Sequence, residues 1–190
     1  MEINELENLI KEKKHKMAMA IESLQDSLTK IRTGRASPVM FDGVKVSSYG
    51  ALSPLNEVAN INIIDNMTIS INVWDKNLIK DVQHAIEKAN LGVVPMADAS
   101  TVRINIPPLT EDRKKELVKV VKTYAEDAKI AIRNIRRDVM ETLKKLQKSS
   151  SISEDVLNTK TKEFEEITKT FVEKVDSVIL LKEKEILPNK

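Results

Sequence analysis

No cysteine occurs in the 190 residues. That removes disulfides, thiolate metal ligands and thiol nucleophiles together, and it fits a reducing compartment. There is no apolar run of about 18 residues, so the sequence offers no membrane-spanning helix. Aromatics amount to one Trp, two Tyr and three Phe, too few for a base-stacking platform, and Trp74 is expected to pack in the core or a turn. The four glycines stand apart, and none sits in the phosphate-cradling G-x-x-x-x-G-K pattern. The two histidines, His15 and His84, lie far apart on polar faces of predicted helices, and no H-E-x-x-H or paired-ligand spacing occurs. The acidic start, with Glu2 and Glu5, has neither a signal-like apolar core nor the look of a transit peptide. These absences lead to the expectation of a cytoplasmic chain that is no enzyme, with no metal and no cofactor.

What is present is a composition of Lys, Glu, Leu, Ile and Ala that favours long helices. The net charge is only +2, so the chain as a whole is no generic polyanion binder. The charge is instead patterned. Between residues 109 and 149 there are twelve Lys or Arg against seven Asp or Glu. This stretch reads as one helix over residues 110–148. Its apolar positions are Leu117, Val121, Tyr124, Ala128, Ala131, Ile135, Val139, Leu143 and Leu146, in steps of three and four. A second stripe holds Lys115, Lys119, Lys122, Lys129, Arg133 and Arg136, interrupted by Glu126. It is expected to face away from the core, as a positive ridge roughly 58 Å long at 1.5 Å per residue. Arg137 extends the cluster around Arg133 and Arg136.

Two further helices can share that seam. The first covers residues 2–33, with Leu6, Ile10, Met17, Ile21, Leu24, Leu28 and Ile31 repeating and Gly34 in the left-handed position after the end. The last follows a turn at 149–151 and a capping box opened by Ser151. Its seam is Leu157, Phe164, Ile167, Phe171, Val175, Val178 and then Leu181 or Lys182.

Residues 39–106 change character. Strands are expected at 44–49, 59–64, 68–74 and 102–106. A helix capped by Asn77 should bury Leu78, Ile79, Val82, Ala85, Ile86 and Ala89. The predicted fold is α+β: an elongated three-helix bundle of residues 1–34 and 108–190, with a small β-rich α/β domain of residues 35–107 inserted between helix one and helix two. The chain crosses between them twice. Thr33, Gly34, Ala36, Ser37, Pro38, Pro107 and Pro108 give those crossings a hinge.

From pattern alone, the basic stripe fits either a solvated helix face or a surface for phosphates, which Arg forks bind bidentately. Lys30, Arg32 and Arg35 likewise fit either pairing with a helix C-terminus or ligand binding. A helical adaptor for protein clients needs nothing beyond charged helices. A hydrolase using scattered carboxylates would need a convergent site, and none is visible.

The residues become specific when taken in order. Lys30, Ile31, Arg32, Thr33, Gly34, Arg35, Ala36, Ser37 and Pro38 form one block. Asp42 with Gly43, Tyr49 with Gly50, Pro54 with Leu55, and 71–75 (Ile, Asn, Val, Trp, Asp) follow. Leu91 with Gly92, 107–113 (Pro, Pro, Leu, Thr, Glu, Asp, Arg), 133–138 (Arg, Asn, Ile, Arg, Arg, Asp) and 152–155 (Ile, Ser, Glu, Asp) complete the series. Over essentially the whole chain this resembles the bacterial ribosome recycling factors. The resemblance implies a three-helix bundle with an inserted α/β domain on a hinge. It implies a monomeric, non-enzymatic factor that binds the post-termination ribosome and works with elongation factor G and GTP. Together they would separate the subunits and release mRNA and deacylated tRNA. By position, Arg32, Arg35, Lys129, Arg133, Arg136 and Arg137 are the implied contacts with large-subunit rRNA, and Lys122 joins them from the stripe. The sequence departs from the family near Asp98, Ala99 and Ser100, where many members carry a glycine.

Overall fold

The computed structural model describes residues 3–187, and the chain divides into two compact units. The described parts of Met1–Ile31 and Asp112–Lys190 form one, and Arg32–Glu111 form the other. The breaker-rich residues of both crossings therefore belong to the second unit.

The first unit contains α1 (Ile3–Thr29), α3 (Glu111–Lys148) and α4 (Glu154–Ile186). α1 buries Leu6, Met17, Ile21, Leu24 and Leu28 along one side. It stops earlier than the sequence suggests. The Ile31 N–H turns back to the Leu28 carbonyl at 3.1 Å, and Gly34 is not its terminal residue. α3 buries Leu117, Val121, Ala125, Ala128, Ile132, Val139 and Leu143. The expected seam was off by one residue in its middle: Tyr124 is exposed and Ala131 and Ile135 are only half-buried, while Ala125 and Ile132 are inside. Runs of i,i+4 apolar pairs leave two adjacent seams open to choice, and tertiary packing selects between them. α4 buries Phe164, Thr168, Phe171, Val175, Ile179 and Ile186. Leu181 is exposed, and Ile179 takes the inward place. The Thr168 hydroxyl donates to the Phe164 carbonyl at 2.8 Å, so its burial leaves no polar group unpaired. Ser153, and not Ser151, caps α4 by accepting the Val156 N–H at 3.2 Å.

The second unit is built on a four-stranded antiparallel sheet in the order β3-β4-β6-β5. These strands are Ala59–Asp65, Thr68–Val73, Thr101–Asn105 and Val94–Ala97 respectively. A separate hairpin pairs β1 (Lys45–Ser48) with β2 (Ala51–Pro54). Period-two alternation sends Ile69, Ile71 and Val73 inward, with Ile104 and Val102 directly opposite Ile69 and Ile71. α2 (Ile79–Lys88) lays Ile79, Val82 and Ile86 on that face. The outer face is polar: Ser70 lies opposite Arg103, and Asn72 opposite Thr101.

The strands missed by sequence reading, β2 and β5, are four-residue edges without clean alternation. β5 carries Pro95, which cannot donate to a ladder and so belongs at an edge. Asp75 rather than Asn77 caps the start of the helical segment. It accepts the Asn77 N–H at 3.0 Å, ahead of a 3-10 turn at Lys76–Leu78 that leads into α2. Ala89 is exposed, since it lies past the end of α2. Trp74 is also exposed, at 59 %, because β4 ends at Val73 and the chain turns outward there. The turn between β5 and β6 closes without a glycine: the Asp98 N–H donates to the Thr101 carbonyl and the Ala99 N–H to the Asp98 side chain, both at 2.7 Å. None of residues 98–100 needs a positive φ.

Candidate nucleic-acid interface

α3 distributes its charge unevenly around its axis. With Leu117 at zero and about 100° per residue, the seven buried positions fall between about 0° and 80°. Arg136 and Lys129 follow at about 100° and 120°, Lys122 at about 140°, Arg133 at about 160° and Arg137 at about 200°. Glu116, Asp127, Asp138 and Glu141 occupy the other flank, between about 240° and 300°, while Glu126, at about 180°, is one acid within the basic stripe. The basic stripe is therefore a flank that rises from the edge of the core, and not the pole opposite the core that the sequence suggested. Lys122, Arg133 and Arg137 are exposed, whereas Lys129 and Arg136 are half-buried.

Lys122, Arg133, Arg136 and Arg137 form no ion pair with any described residue. The Arg136 Nε is shielded from solvent and has no hydrogen-bond partner among the described residues. A guanidinium held in this way keeps its charge and lacks a counter-ion, and a phosphate oxygen supplies both needs. Lys129 differs. Its Nζ lies 2.6 Å from Asp176 Oδ1 on α4, and its side chain is only 17 % exposed. Lys129 lies 19 residues before the end of α3, and Asp176 22 residues after the start of α4. At 1.5 Å per residue both stand roughly 30 Å from the turn, so α4 running back along α3 brings them level. Aligning the two seams antiparallel would have revealed this pairing from sequence.

On its acidic side, α3 borders an open groove of about 320 Å³ lined by Ala20, Ser23, Leu24 and Ser27 of α1 and Tyr124, Asp127, Ala128 and Ala131 of α3. None of the candidate phosphate contacts lines it.

The remaining candidates lie in the second unit. Arg32 and Arg35 are exposed. The Arg32 guanidinium rests against Gly92 in the loop after α2, where an added Cβ would stand 3.0 Å from its Nη1. Gly34 has φ +74°, and a Cβ there would come within 2.9 Å of Leu109 Cγ. The two crossing segments are each tied to the β3–β4 turn: the Ala36 N–H donates to the Asn66 carbonyl and the Ile106 N–H to the Met67 carbonyl, both at 2.7 Å. Ser37 begins the 3-10 turn Pro38–Phe41 by accepting the Val39 N–H. Thr33, Pro107 and Pro108 fall in the same unit, outside helix and strand.

Three titrating groups stand out on this unit. The Tyr49 hydroxyl donates to Asp75. That bond holds the Asp75 carboxyl below the usual carboxylate range and raises the Tyr49 phenol. Asp65 is lowered by accepting the Met67 N–H, with a smaller pull from Arg103. All three serve turns. Among the described residues no His, Asp or Glu cluster could hold a metal ion, and no helix is long and apolar enough to cross a membrane.

Comparison with known proteins identifies the family. A family model described as Ribosome recycling factor matches residues 24–187. The chain is 48% identical over 174 residues to the ribosome-recycling factor of Bacillus subtilis, covering 92% of this chain and 94% of that one. It is 46% identical over 182 residues to that of Desulforapulum autotrophicum, covering 96% and 98%. Among solved structures, a solution structure of the ribosome recycling factor superposes with a TM-score of 0.77 at 30% identity, covering 98% of this chain and all of that one. A T. thermophilus ribosome recycling factor, placed with E. coli elongation factor G on the E. coli post-termination complex, matches with a TM-score of 0.64 at 41% identity, covering 96% and 98%. Family members are translation factors and not enzymes. The chain belongs to the ribosome recycling factor family.

Proposed function

We propose that this chain binds the post-termination ribosome through the basic flank of α3. Lys122, Arg133, Arg136 and Arg137, with Arg32 and Arg35, hold phosphates of large-subunit rRNA. The observation that carries this reading is the predominantly basic flank of α3, whose arginines pair with no acid among the described residues and whose Arg136 Nε is buried without a hydrogen-bond partner there. A T. thermophilus relative placed with elongation factor G on such a complex supports the same partners. The chain supplies binding energy and shape. GTP is hydrolysed by the elongation factor, and the crossings at Thr33, Gly34, Ala36, Ser37, Pro38, Pro107 and Pro108 let the small unit move as the subunits separate. Messenger RNA and deacylated tRNA leave as a consequence. The factor acts as a cytoplasmic monomer.

The test is subunit separation on post-termination complexes, followed by light scattering. The chain with elongation factor G and GTP should split the subunits, while either factor alone should not. Splitting by elongation factor G at an equal rate without this chain would contradict the proposal. A cross-link between the two crossing segments should preserve binding and abolish splitting, and full activity in the cross-linked chain would remove the hinge from the mechanism.

A further inference from the structure

Among the cations of the basic flank, Lys129 is the one already occupied. Its side chain is largely covered, and its ammonium sits 2.6 Å from Asp176, whose own side chain is 60 % exposed. Asp176 is thus a solvent-facing acid that α4 places against the basic stripe, where α3 itself contributes one acid, Glu126. Because the Asp176 end of the pair is open to solvent, the pair is exchangeable. When a phosphate approaches, Lys129 can only trade one anion for another, so its net gain is small. Asp176 also sets a negative charge within about two helical turns of Arg133 and Arg136, where it opposes an incoming phosphate.

We propose that Asp176 is a built-in competitor for the phosphate-binding surface: it holds Lys129 as a tie between α3 and α4 and keeps the affinity for RNA below what the flank could reach. A factor that must bind and then leave in every round gains from such a limit, because dissociation sets its turnover. The inference rests on the reading of the flank as an RNA surface.

The competitor role makes a prediction that a purely structural tie does not. Removing the acid should strengthen binding, and that gain should depend on Lys129 being present. The probe is isolated large ribosomal subunits, with the full-length chain, across a series of salt concentrations. Asp176→Ala should bind about three- to tenfold more tightly at low salt. The slope of log affinity against log salt should steepen by about 0.7 to 0.9, the value of one added phosphate contact. Lys129→Met leaves the Asp176 charge unneutralised beside the flank and should weaken binding. The double variant should lose the gain that Asp176→Ala brings. Asp176→Asn, close to the native side chain in shape, repeats the test should the alanine variant fail to fold, with helical circular dichroism as the check.

Unchanged or weaker binding by folded Asp176 variants overturns the inference, as does a double variant that keeps the full gain of Asp176→Ala. Parental binding by Arg133→Glu with Arg136→Glu overturns the RNA reading itself, and the inference falls with it. If that double variant loses binding while the Asp176 variants stay at the parental level, the RNA surface stands and only the competitor is rejected.

Discussion

The two units solve the same folding problem differently. The helical unit carries 24 Lys or Arg against 21 Asp or Glu, a surplus of three, and the inserted unit carries 7 against 8, a deficit of one. The helical unit keeps its apolar residues in seams, each only one stripe wide, so most of every long helix faces water and is free to hold charge. The inserted unit gathers one continuous core of Phe41, Val46, Leu55, Ile69, Ile71, Val82, Ile86, Val102 and Ile104 beneath a sheet whose other face is polar. Long helices give surface over which charge can be patterned. The small sheet gives a rigid body whose shape is set by cross-strand register.

Several substitutions would break or sharpen this contrast. The largest effect should come from Ile132→Asp, which places an unpaired carboxylate at a position with no solvent exposure. The cost is several kcal/mol, and thermal melting should lose the helical transition. Ile135→Asp, three residues on at a half-buried site, should cost far less. Equal damage from both would mean that the seam runs through Ile135 after all. Next come paired truncations of the two cores. Phe164→Ala should cost about 3–5 kcal/mol and Ile71→Ala about 2–5 kcal/mol. Each should lower the melting of its own unit with little effect on the other. A single shared transition shifted equally by both would contradict independent cores.

Gly34→Ala should cost about 1 kcal/mol or more, since a side chain is added at φ +74° against Leu109. No change in the denaturation midpoint would show that the close approach to Leu109 is not maintained. The smallest effect concerns the Tyr49–Asp75 link. Asp75 has its folded pKa depressed, so its contribution is present above the unfolded carboxylate value and is lost as pH falls through the lower folded one. Tyr49 has its phenol raised, so its contribution is present below the ordinary tyrosine value and is lost as pH rises through the higher folded one. Tyr49→Phe should therefore lower stability slightly at neutral pH and flatten the acid limb of a stability–pH profile. Superimposable profiles would remove that bond from the account.

Much of this was legible in the sequence. The heptad-like spacing of Met17, Ile21, Leu24 and Leu28 located α1 and its buried side, and the alternation of Ile69, Ile71 and Val73 located the central strand. The choice between Tyr124 and Ala125, or between Ile135 and Ile132, was not legible. Both members of each pair satisfy helical spacing, and only the partners across the bundle decide. The short edges β2 and β5 escaped for a related reason, because an edge strand is defined by its neighbour more than by its own pattern. The arginines were found from charge alone. The capture of Lys129 by Asp176 depends on a residue 47 positions away and emerges only when α3 and α4 are set side by side.

The measurement that bears most directly on the central claim is cosedimentation with vacant ribosomes over a salt series, comparing the parent chain with Arg133→Glu, Arg136→Glu. Six phosphate contacts, from Arg32, Arg35, Lys122, Arg133, Arg136 and Arg137, predict a log–log slope of about −4 to −5 for the parent. The variant should show binding lost at moderate salt, with its helical circular dichroism unchanged. Binding by the variant equal to the parent's, or parental binding indifferent to salt, would contradict the assignment of the α3 flank as the ribosome-binding surface.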